Sequence, residues 1–343
     1  MREIVTIKDV AKRAGVSTST VSRILTPRNN TYMRDATRER VTRAIKELDY
    51  RPDVRAQSLR GMIGTKTIGL VMPDTLNPYY QELAYALEEI CYKERYGMLV
   101  CSSKNSISRE LVYIDLLERQ KVDGIILTTV GLHKARLDGL IKRGIPIVLI
   151  DRDVPGTVVP TLFSNNYMGG CQATQYLIDL GHKKILCVAG SMNVLSNIDR
   201  LKGYTDTLGK NGLEIDKKLI IRKGKLTYKN GYKIMKDLLS KSGDEFTAIF
   251  CLNDLVALGV MRAIHEKGKN VPSDYSVIGF DNISFSSICN PPLTTIAQPT
   301  RIIALNAFKT IRKWKEQALL KKKHRFWDTK LIVRESCREN RFR

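Results

Sequence analysis

The chain has 343 residues, with 57 Lys and Arg against 35 Asp and Glu, so its formal net charge is +22 at neutral pH. The length allows a small domain beside a larger one, and the charge favours an acidic partner. Seven scattered cysteines without a C-x-x-C pair argue against a disulfide framework or a zinc site. The absence of a signal-peptide core or an 18-residue apolar span predicts a cytoplasmic chain.

Residues 6–23 predict two short helices joined by a tight turn. Apolar residues recur at helical spacing over 7–14, and Thr6 is a suitable N-cap. Gly15 can adopt the left-handed conformation that ends a helix, and Ser17 can cap the helix that follows. The pattern is typical of a helix-turn-helix.

The second helix exposes short hydrogen-bonding side chains followed by one long cation. Such a helix suits a DNA major groove, where small polar groups approach base edges and a guanidinium reaches guanine or phosphate. An ordinary helical hairpin is the alternative, because the motif is short. The exposed residues are Thr18, Ser19, Thr20, Ser22 and Arg23.

A third helix is predicted over residues 36–48, with Asp35 as its cap, and ends before Pro52. Residues 53–61 then form one or two turns of weak helix, too short to be stable alone. Leu59 beside Arg60 resembles the apolar wedge and cation that open a minor-groove step. The alternative is a linker with an incidental leucine.

From residue 66 onward, apolar strands alternate with amphipathic helices, which predicts parallel sheets with crossover helices. The predicted strands are 67–72, 98–102, 124–127, 147–150, 185–189, 248–251 and 276–279. The predicted helices are 79–95, 108–120, 133–143, 168–180, 200–211, 229–241 and 254–267. Two doubly wound sheets would form two lobes with a cleft between them.

Polar side chains follow most of these strands, at the edge where ligands of such sheets bind. Asp, Asn and Arg offer the paired donors and acceptors that sugar hydroxyls need, and Tyr rings can cover a pyranose or a purine. Arg200 is expected after a strand and before a helix beginning near residue 201, and Asp281 is expected as an unpaired carboxylate at a strand end. Asn253 and Asp254 stand where a helix cap is needed, so Asp254 either caps that helix or contacts ligand.

No Ser-His-Asp order, P-loop or H-E-x-x-H motif occurs in the sequence, so an enzyme is not predicted, and neither a cofactor nor a metal is expected. The run at 321–325 adds positive charge near the C-terminus. A solvated loop is the preferred interpretation, with a second nucleic-acid contact as the alternative.

Nearly the whole chain resembles the lactose-repressor (LacI/GalR) family of bacterial transcription regulators. The resemblance rests on the order of several phrases: TIKDVAKRAGVSTSTVSR, KTIGLVMPDTLNPYY, DGIILT, YLIDLGHKKI, VIGFDN and PPLTTIAQP. The chain departs from the family pattern in a longer loop before Thr37 and in Ser164, where Asp is frequent.

The resemblance implies a small all-α helix-turn-helix head with a hinge helix. A two-lobed α/β domain with parallel sheets, like that of periplasmic binding proteins, would follow. The expected domains are a head (1–52), a hinge (53–65) and an effector-binding and dimerisation domain (66–343). Lobe N would hold about 66–164 and 296–325, and lobe C about 165–295 and 326–343.

The implied function is a repressor of a carbohydrate-utilisation operon. It would bind a pseudo-palindromic DNA operator as a homodimer, with a tetramer as the alternative, and respond to a sugar-like effector between the lobes. Control by a phosphoprotein on the outer surface is the alternative within the family, and a stand-alone sugar-binding module is a more remote one. The expected DNA-binding residues are Thr6, Ser17, Thr18, Ser19, Thr20, Ser22, Arg23, Arg55, Ala56, Leu59 and Arg60. The expected effector-binding residues are Asn77, Tyr79, Tyr80, Thr128, Asp151, Phe163, Arg200, Asn253 and Asp281.

Overall fold

A computed structural model describes residues 5–25, 33–50, 64–192, 194–241, 245–314 and 324–340. The chain divides into two compact units, residues 1–65 and residues 66–343. Most of the predicted hinge and of the basic run near the C-terminus lie outside the described residues. The expected DNA contacts Arg55, Ala56, Leu59 and Arg60 are among them, so they stay predictions.

Within its described residues, the first unit contains three helices, α1 (Ile7–Ala14), α2 (Thr18–Leu25) and α3 (Asp35–Glu47). The first helix begins where the Thr6 amide donates to the Asp9 carboxylate at 2.8 Å. It ends at Gly15, whose φ of 64° lets the Val16 amide donate back to the Ala11 carbonyl at 3.0 Å. The predicted helix-turn-helix is confirmed, with a small core of Val10, Ala11, Ala14, Val21, Val41 and Ala44.

The predicted cap of the third helix is wrong. Asp35 is the first residue of α3, and Arg34 occupies the cap position without a side-chain cap bond. An acidic residue in the first turn still stabilises the helix, because it faces the positive end of the helix dipole.

The described part of the second unit forms two six-stranded sheets, one in each lobe. The lobe N sheet has the order β11-β5-β4-β3-β1-β2 and is parallel throughout. The lobe C sheet has the order β12-β10-β9-β8-β6-β7, and only its edge pair β10–β12 is antiparallel. The strands are β1 (Thr67–Met72), β2 (Gly97–Ser102), β3 (Gly124–Leu127), β4 (Ile147–Ile150), β5 (Thr161–Ser164), β6 (Ile185–Val188), β7 (Ile220–Ile221), β8 (Ala248–Cys251), β9 (Ser276–Asp281), β10 (Thr294–Ala297), β11 (His324–Trp327) and β12 (Lys330–Ile332).

Helices cover both faces of these sheets, as the alternating pattern predicts. They are α4 (Pro78–Lys93), α5 (Ile107–Arg119), α6 (Lys134–Lys142), α7 (Asn166–Asp179), α8 (Leu195–Lys210), α9 (Tyr228–Leu239), α10 (Asp254–Glu266), α11 (Phe285–Ile288) and α12 (Thr300–Arg312), with a short 3-10 helix at Lys217–Leu219. Within the described residues, no helix is both long and apolar enough to cross a bilayer.

Within the residues that the structure describes, the chain passes between the lobes three times. The crossings lie between Ser164 and Asn166, between Ala297 and Thr300, and between Trp327 and Lys330. The second and third come two to three residues after the expected lobe boundaries. All three crossing segments therefore run between the two sheets, and Gln298 of the second lines the cavity described below.

The expected position of Arg200 is wrong. The helix that carries it begins at Leu195, so Arg200 lies in the second turn of α8. The polar residues at 196 and 197, which break the apolar pattern, hid the start of the helix from the sequence analysis.

Candidate nucleic-acid interface and ligand cleft

Helix α2 presents a polar surface opposite its buried side. Val21 is buried in the head core, whereas Thr18, Ser19 and Arg23 are exposed and Thr20 is half-buried. Within the described residues, Arg23 has no ion-pair partner. A short helix with exposed hydroxyls and an exposed guanidinium has the size and the side chains that suit a major groove.

Hydroxyl contacts hold the start of this helix. The Ser17 hydroxyl lies 2.7 Å from that of Ser19 and 2.9 Å from that of Thr20, and it accepts the Thr20 amide at 3.2 Å. The predicted cap at Ser17 is confirmed. The Thr6 hydroxyl donates to Asp9 at 2.6 Å, so it would have to turn away from Asp9 to donate to a DNA phosphate.

A cavity of about 980 Å³ lies between the two lobes of the second unit. Its walls come from loops after the sheet strands and from the first turns of helices on both lobes. Its size is at the upper end of the range for small-molecule sites. The effector-binding candidates that line it are Asn77, Tyr79, Tyr80, Asp151, Arg200, Asn253 and Asp281.

Two candidates do not line this cavity. Phe163 stacks on Phe326 of the adjacent strand, with ring centroids 5.1 Å apart, and is buried there. Thr128 is fully buried directly after β3, where its amide donates to Val71. The structure therefore does not place either residue at this cavity, because a position near a strand end does not fix the direction of its side chain.

Polar side chains at the base of the cavity form a group that we call the floor: Tyr79, Asp151, Arg152, Arg200 and Asp281. Arg200 lies at its centre and is only 4% exposed. Its Nε donates to Asn166 Oδ1 at 2.8 Å, and its Nη1 donates to the Leu252 carbonyl at 2.6 Å. Its guanidinium carbon lies 3.6 Å from the centroid of the Phe280 ring. Packing and hydrogen bonds therefore fix this cation, and Nη2 is used in none of these contacts.

Asp281 is paired, which corrects the expectation of a free carboxylate. Its Oδ1 lies 3.4 Å from Arg200 Nη1 and accepts a hydrogen bond from Gln298 Nε2 at 2.6 Å. Burial raises the pKa of Asp281 to about 7, although Arg200 acts in the opposite direction. The carboxyl is therefore poised to change its charge near neutral pH.

Buried polar atoms without partners lie at the same floor. Among the described residues, Asp151 Oδ1, the Tyr79 hydroxyl and Arg152 Nε have no hydrogen-bond partner. Burial raises the pKa of Asp151, and burial together with Asp151 raises that of Tyr79, which keeps the hydroxyl protonated. Unsatisfied buried polar groups are rare in native proteins, so these atoms are available to hydrogen-bond a polar molecule in the cleft.

The two floor carboxylates also stand on unusual backbone. Asp151 has a φ of 62° and Asp281 a φ of 113°. Such conformations cost about 1–3 kcal/mol each for residues other than glycine and cluster at functional sites. The strain aims both carboxyl groups at one cavity.

Asn253, and not Asp254, caps α10, which answers the alternative left open by the sequence. Asn253 Oδ1 accepts the Val256 amide at 2.9 Å, and its Nδ2 donates to the Leu226 carbonyl at 3.1 Å. Asp254 is fully buried and accepts hydrogen bonds from Thr295 and from the Ile283 amide, so it holds α10 against the sheet. Asn77 likewise caps α4, accepting the Tyr79 amide at 3.1 Å.

The sequence analysis missed several residues of the cleft. Gln298 lies on the second crossing, directly after β10, and accepts a hydrogen bond from Ser164 at 2.7 Å while donating to Asp281. Asn166 lies just after the first crossing and holds Arg200. The loop at 224–229 forms the lobe C side of the cavity entrance, which we call the mouth. Gln298 and this loop follow β10 and β7 directly, and this position after a strand is the sequence feature that could have identified them as cleft residues.

The comparisons with known proteins agree with both parts. Residues 6–53 match bacterial regulatory proteins of the lacI family, and residues 65–324 match periplasmic binding proteins and the sugar binding domain of the LacI family. The HTH-type transcriptional repressor PurR of Pasteurella multocida (strain Pm70) is 34% identical over 339 residues, 97% of this chain and 98% of that protein.

Two solved structures cover nearly the full chain. The complex of the transcriptional regulator CelR with cellobiose is 30% identical with a TM-score of 0.71, over 97% of this chain and 99% of that one. The lac repressor dimer bound to operator and the anti-inducer ONPF is 26% identical with a TM-score of 0.85, over 98% and 100%. With a helix-turn-helix head followed by the ligand-cleft domain of these regulators, the chain belongs to the lacI family of bacterial regulatory proteins.

Proposed function

We propose that this regulator represses its target genes as a homodimer on a pseudo-palindromic operator, and that a sugar or sugar derivative bound between the lobes changes its affinity for that operator. The observation that carries the effector part is the floor of the cleft. Asp151, Tyr79 and Arg152 keep buried polar atoms without partners beside a fixed Arg200–Asp281 pair.

The chemistry of the floor favours a polyhydroxylated ligand. Carboxylates accept hydrogen bonds from hydroxyls, Arg200 and Arg152 donate hydrogen bonds, and the Tyr79 hydroxyl can do either. Tyr79 and Tyr80 contact each other edge to face at 5.2 Å, and both line the cavity, so aromatic side chains lie beside these groups. Cellobiose in the related regulator supports the same class of ligand. Control from the outer surface alone would leave the orphaned cleft atoms without a purpose.

The floor is connected to the segments that set the angle between the lobes. Asp281 is held by Gln298 on the second crossing, and Gln298 is held by Ser164 at the first. A ligand that moves Arg200 or Asp281 therefore acts on two crossings directly. Coupling between such sites is typically about 1–3 kcal/mol.

The head would read DNA through Thr18, Ser19 and Arg23, one half-site for each protomer. Two copies are supported by exposed apolar side chains on neighbouring elements of lobe N. Tyr85 and Tyr92 on α4 are 69% and 76% exposed, and Leu99 and Val100 lie on the free edge strand β2. Sedimentation equilibrium should give a dimer, and a monomer at micromolar concentration would contradict this part.

The ligand is tested by a thermal-shift panel of sugars, sugar phosphates, uronates and nucleobases, followed by calorimetry. Because a bound effector stabilises the folded chain by mass action, at least one sugar should raise the melting temperature. Asp151→Asn should then lower the affinity for that sugar about tenfold or more, since the charged carboxylate acceptor is replaced by a neutral amide that both donates and accepts hydrogen bonds. The exposed Asp237 outside the cleft provides the matched control, Asp237→Asn.

The outcomes separate the candidates. Binding of a nucleobase with no sugar would refute the ligand class and assign the tyrosines to stacking. A heat signal with a phosphoprotein and none with the panel would refute the cleft as the control site. Equal affinities in the two Asp variants would refute the role of Asp151.

A further inference from the structure

The mouth of the cleft carries positive charge that the floor does not use. Lys225 and Lys229 line the cavity on the lobe C side, and both are exposed. Within the part of the chain that the structure describes, neither lysine has an acidic partner within 4 Å. The floor cations differ, because Arg200 is paired with Asp281, and Arg152 lies near Asp151 and Tyr80.

The loop that bears these lysines is fixed. The Gly224 carbonyl accepts the Ser191 amide at 2.9 Å, and the Leu226 carbonyl accepts Asn253 Nδ2 at 3.1 Å. Asn230 Nδ2 donates to the Lys223 carbonyl at 3.1 Å. A Cβ on residue 224 would lie 2.6 Å from the Asn230 side chain, so glycine is required there. The backbone is preorganised while the lysine side chains stay available.

The start of α9 adds to this charge. Thr227 caps the helix by accepting the Asn230 amide at 3.3 Å. The amides of Tyr228 and Lys229 have no acceptor among the described residues. First-turn amides and the helix dipole both favour an anion. Across the mouth, lobe N offers Asp74 and Asn105, and Asp74 already accepts the Leu76 amide at 2.8 Å.

We propose that the cleft takes an anionic sugar, with its hydroxyls on the floor and its phosphate or carboxylate at the mouth between Lys225, Lys229 and the first turn of α9. The inference rests on the proposed function, because it specifies the ligand of the same site. The floor atoms without partners can hydrogen-bond sugar hydroxyls. The unpaired lysines at the mouth can bind an anionic group, which a neutral sugar lacks.

The test uses matched probes on the full-length protein. D-glucose, D-galactose and D-mannose are each compared with their 6-phosphates and uronates by thermal shift and calorimetry. An anionic member should bind at least tenfold more tightly than its neutral parent. Raising NaCl from about 50 to 500 mM should weaken the anion several-fold, because exposed charges are screened. The phosphate and carboxylate arms show which group the mouth prefers.

The double variant Lys225→Gln/Lys229→Gln should lower the ratio of anionic to neutral affinity about tenfold. Lys223→Gln is the matched control, since Lys223 is exposed on the same loop and does not line the cavity. Its ratio should stay within about twofold of wild type.

Three results would overturn the inference. If a neutral parent binds as tightly as its anionic partners, the mouth does not select charge, while the proposed function stands. If the double variant weakens both ligands equally, the lysines act by closing the cleft against Asp74. If no sugar of either kind binds, the proposed effector class fails as well.

Discussion

Removal of the Tyr79 hydroxyl is expected to change the stability of the protein and its affinity for the effector in opposite directions. Its ring is buried against Tyr80, and its hydroxyl has no partner among the described residues. Tyr79→Phe keeps the ring and removes only that hydroxyl. A buried, unsatisfied polar group costs about 1–3 kcal/mol, so the variant should raise the free energy of unfolding of the ligand-free protein by about 1 kcal/mol.

The same variant should bind the effector more weakly. If a ligand hydroxyl pairs with Tyr79, its loss removes one neutral hydrogen bond, worth about 0.5–1.5 kcal/mol, or about a two- to twelvefold rise in Kd. Stability and affinity therefore change in opposite senses. A residue that served only to pack the fold would not give this result.

Tyr204→Phe is the matched control. Tyr204 is equally buried, but its hydroxyl donates to the Ile185 carbonyl at 2.6 Å, so its removal should destabilise the protein by about 1 kcal/mol and leave the effector Kd unchanged. Both tryptophans, Trp314 and Trp327, lie in the second unit, so urea unfolding followed by tryptophan fluorescence reports on that unit.

Two outcomes would refute the reasoning. A loss of stability in Tyr79→Phe as large as in the control would mean that the hydroxyl is already bonded in the free protein. A gain in stability with an unchanged Kd would mean that the ligand does not touch Tyr79.

Three further changes follow from the structure. In the folded chain, burial raises the pKa of Asp281 to about 7, against about 3.9 when unfolded, so the contribution of Asp281 to wild-type stability falls as pH rises from 4 to 7. Asp281→Asn cannot take up this proton. In urea melts, its free energy of unfolding should therefore rise by about 1 kcal/mol or more relative to that of wild type from pH 5 to 8, and a constant difference between the two proteins would contradict the shift. Arg23→Ala should cost about 1–3 kcal/mol on the cognate duplex in anisotropy titrations, while Arg43→Ala, an exposed arginine on α3, should cost far less; equal losses would reduce Arg23 to a general charge. Leu59→Ala should reduce operator bending in a circular-permutation assay, and normal bending would make the leucine a linker residue.

The central strands were predictable because their signal is local. β1, β3, β4 and β8 begin and end at the predicted residues, since each is a short apolar run bounded by polar or turn residues. β11 at His324–Trp327 has no such run, and its pairing with β5 joins residues about 160 positions apart. The helix at Thr300–Arg312 was not predicted, although the sequence carries its signal: Ile303, Ala307 and Ile311 recur at four-residue spacing.

The site was predictable in its residue types and much less in its contacts. Asp281 and Asp151 line the cleft as expected from their places at strand ends, whereas Arg200 lines it from the second turn of α8. Their partners come from distant segments: Gln298 from the second crossing and Asn166 from the start of α7. Such contacts depend on how the two lobes are joined, which no local pattern records.

The central claim is that ligand binding in the cleft changes affinity for DNA. The most direct measurement selects a preferred duplex from a random pool and determines its Kd by fluorescence anisotropy, with and without a saturating concentration of the sugar that most raises the melting temperature. The account predicts a preferred pseudo-palindromic duplex whose Kd changes by about five- to 150-fold when the sugar is present. The same Kd at saturating sugar, or selection that yields no preferred duplex, would contradict it.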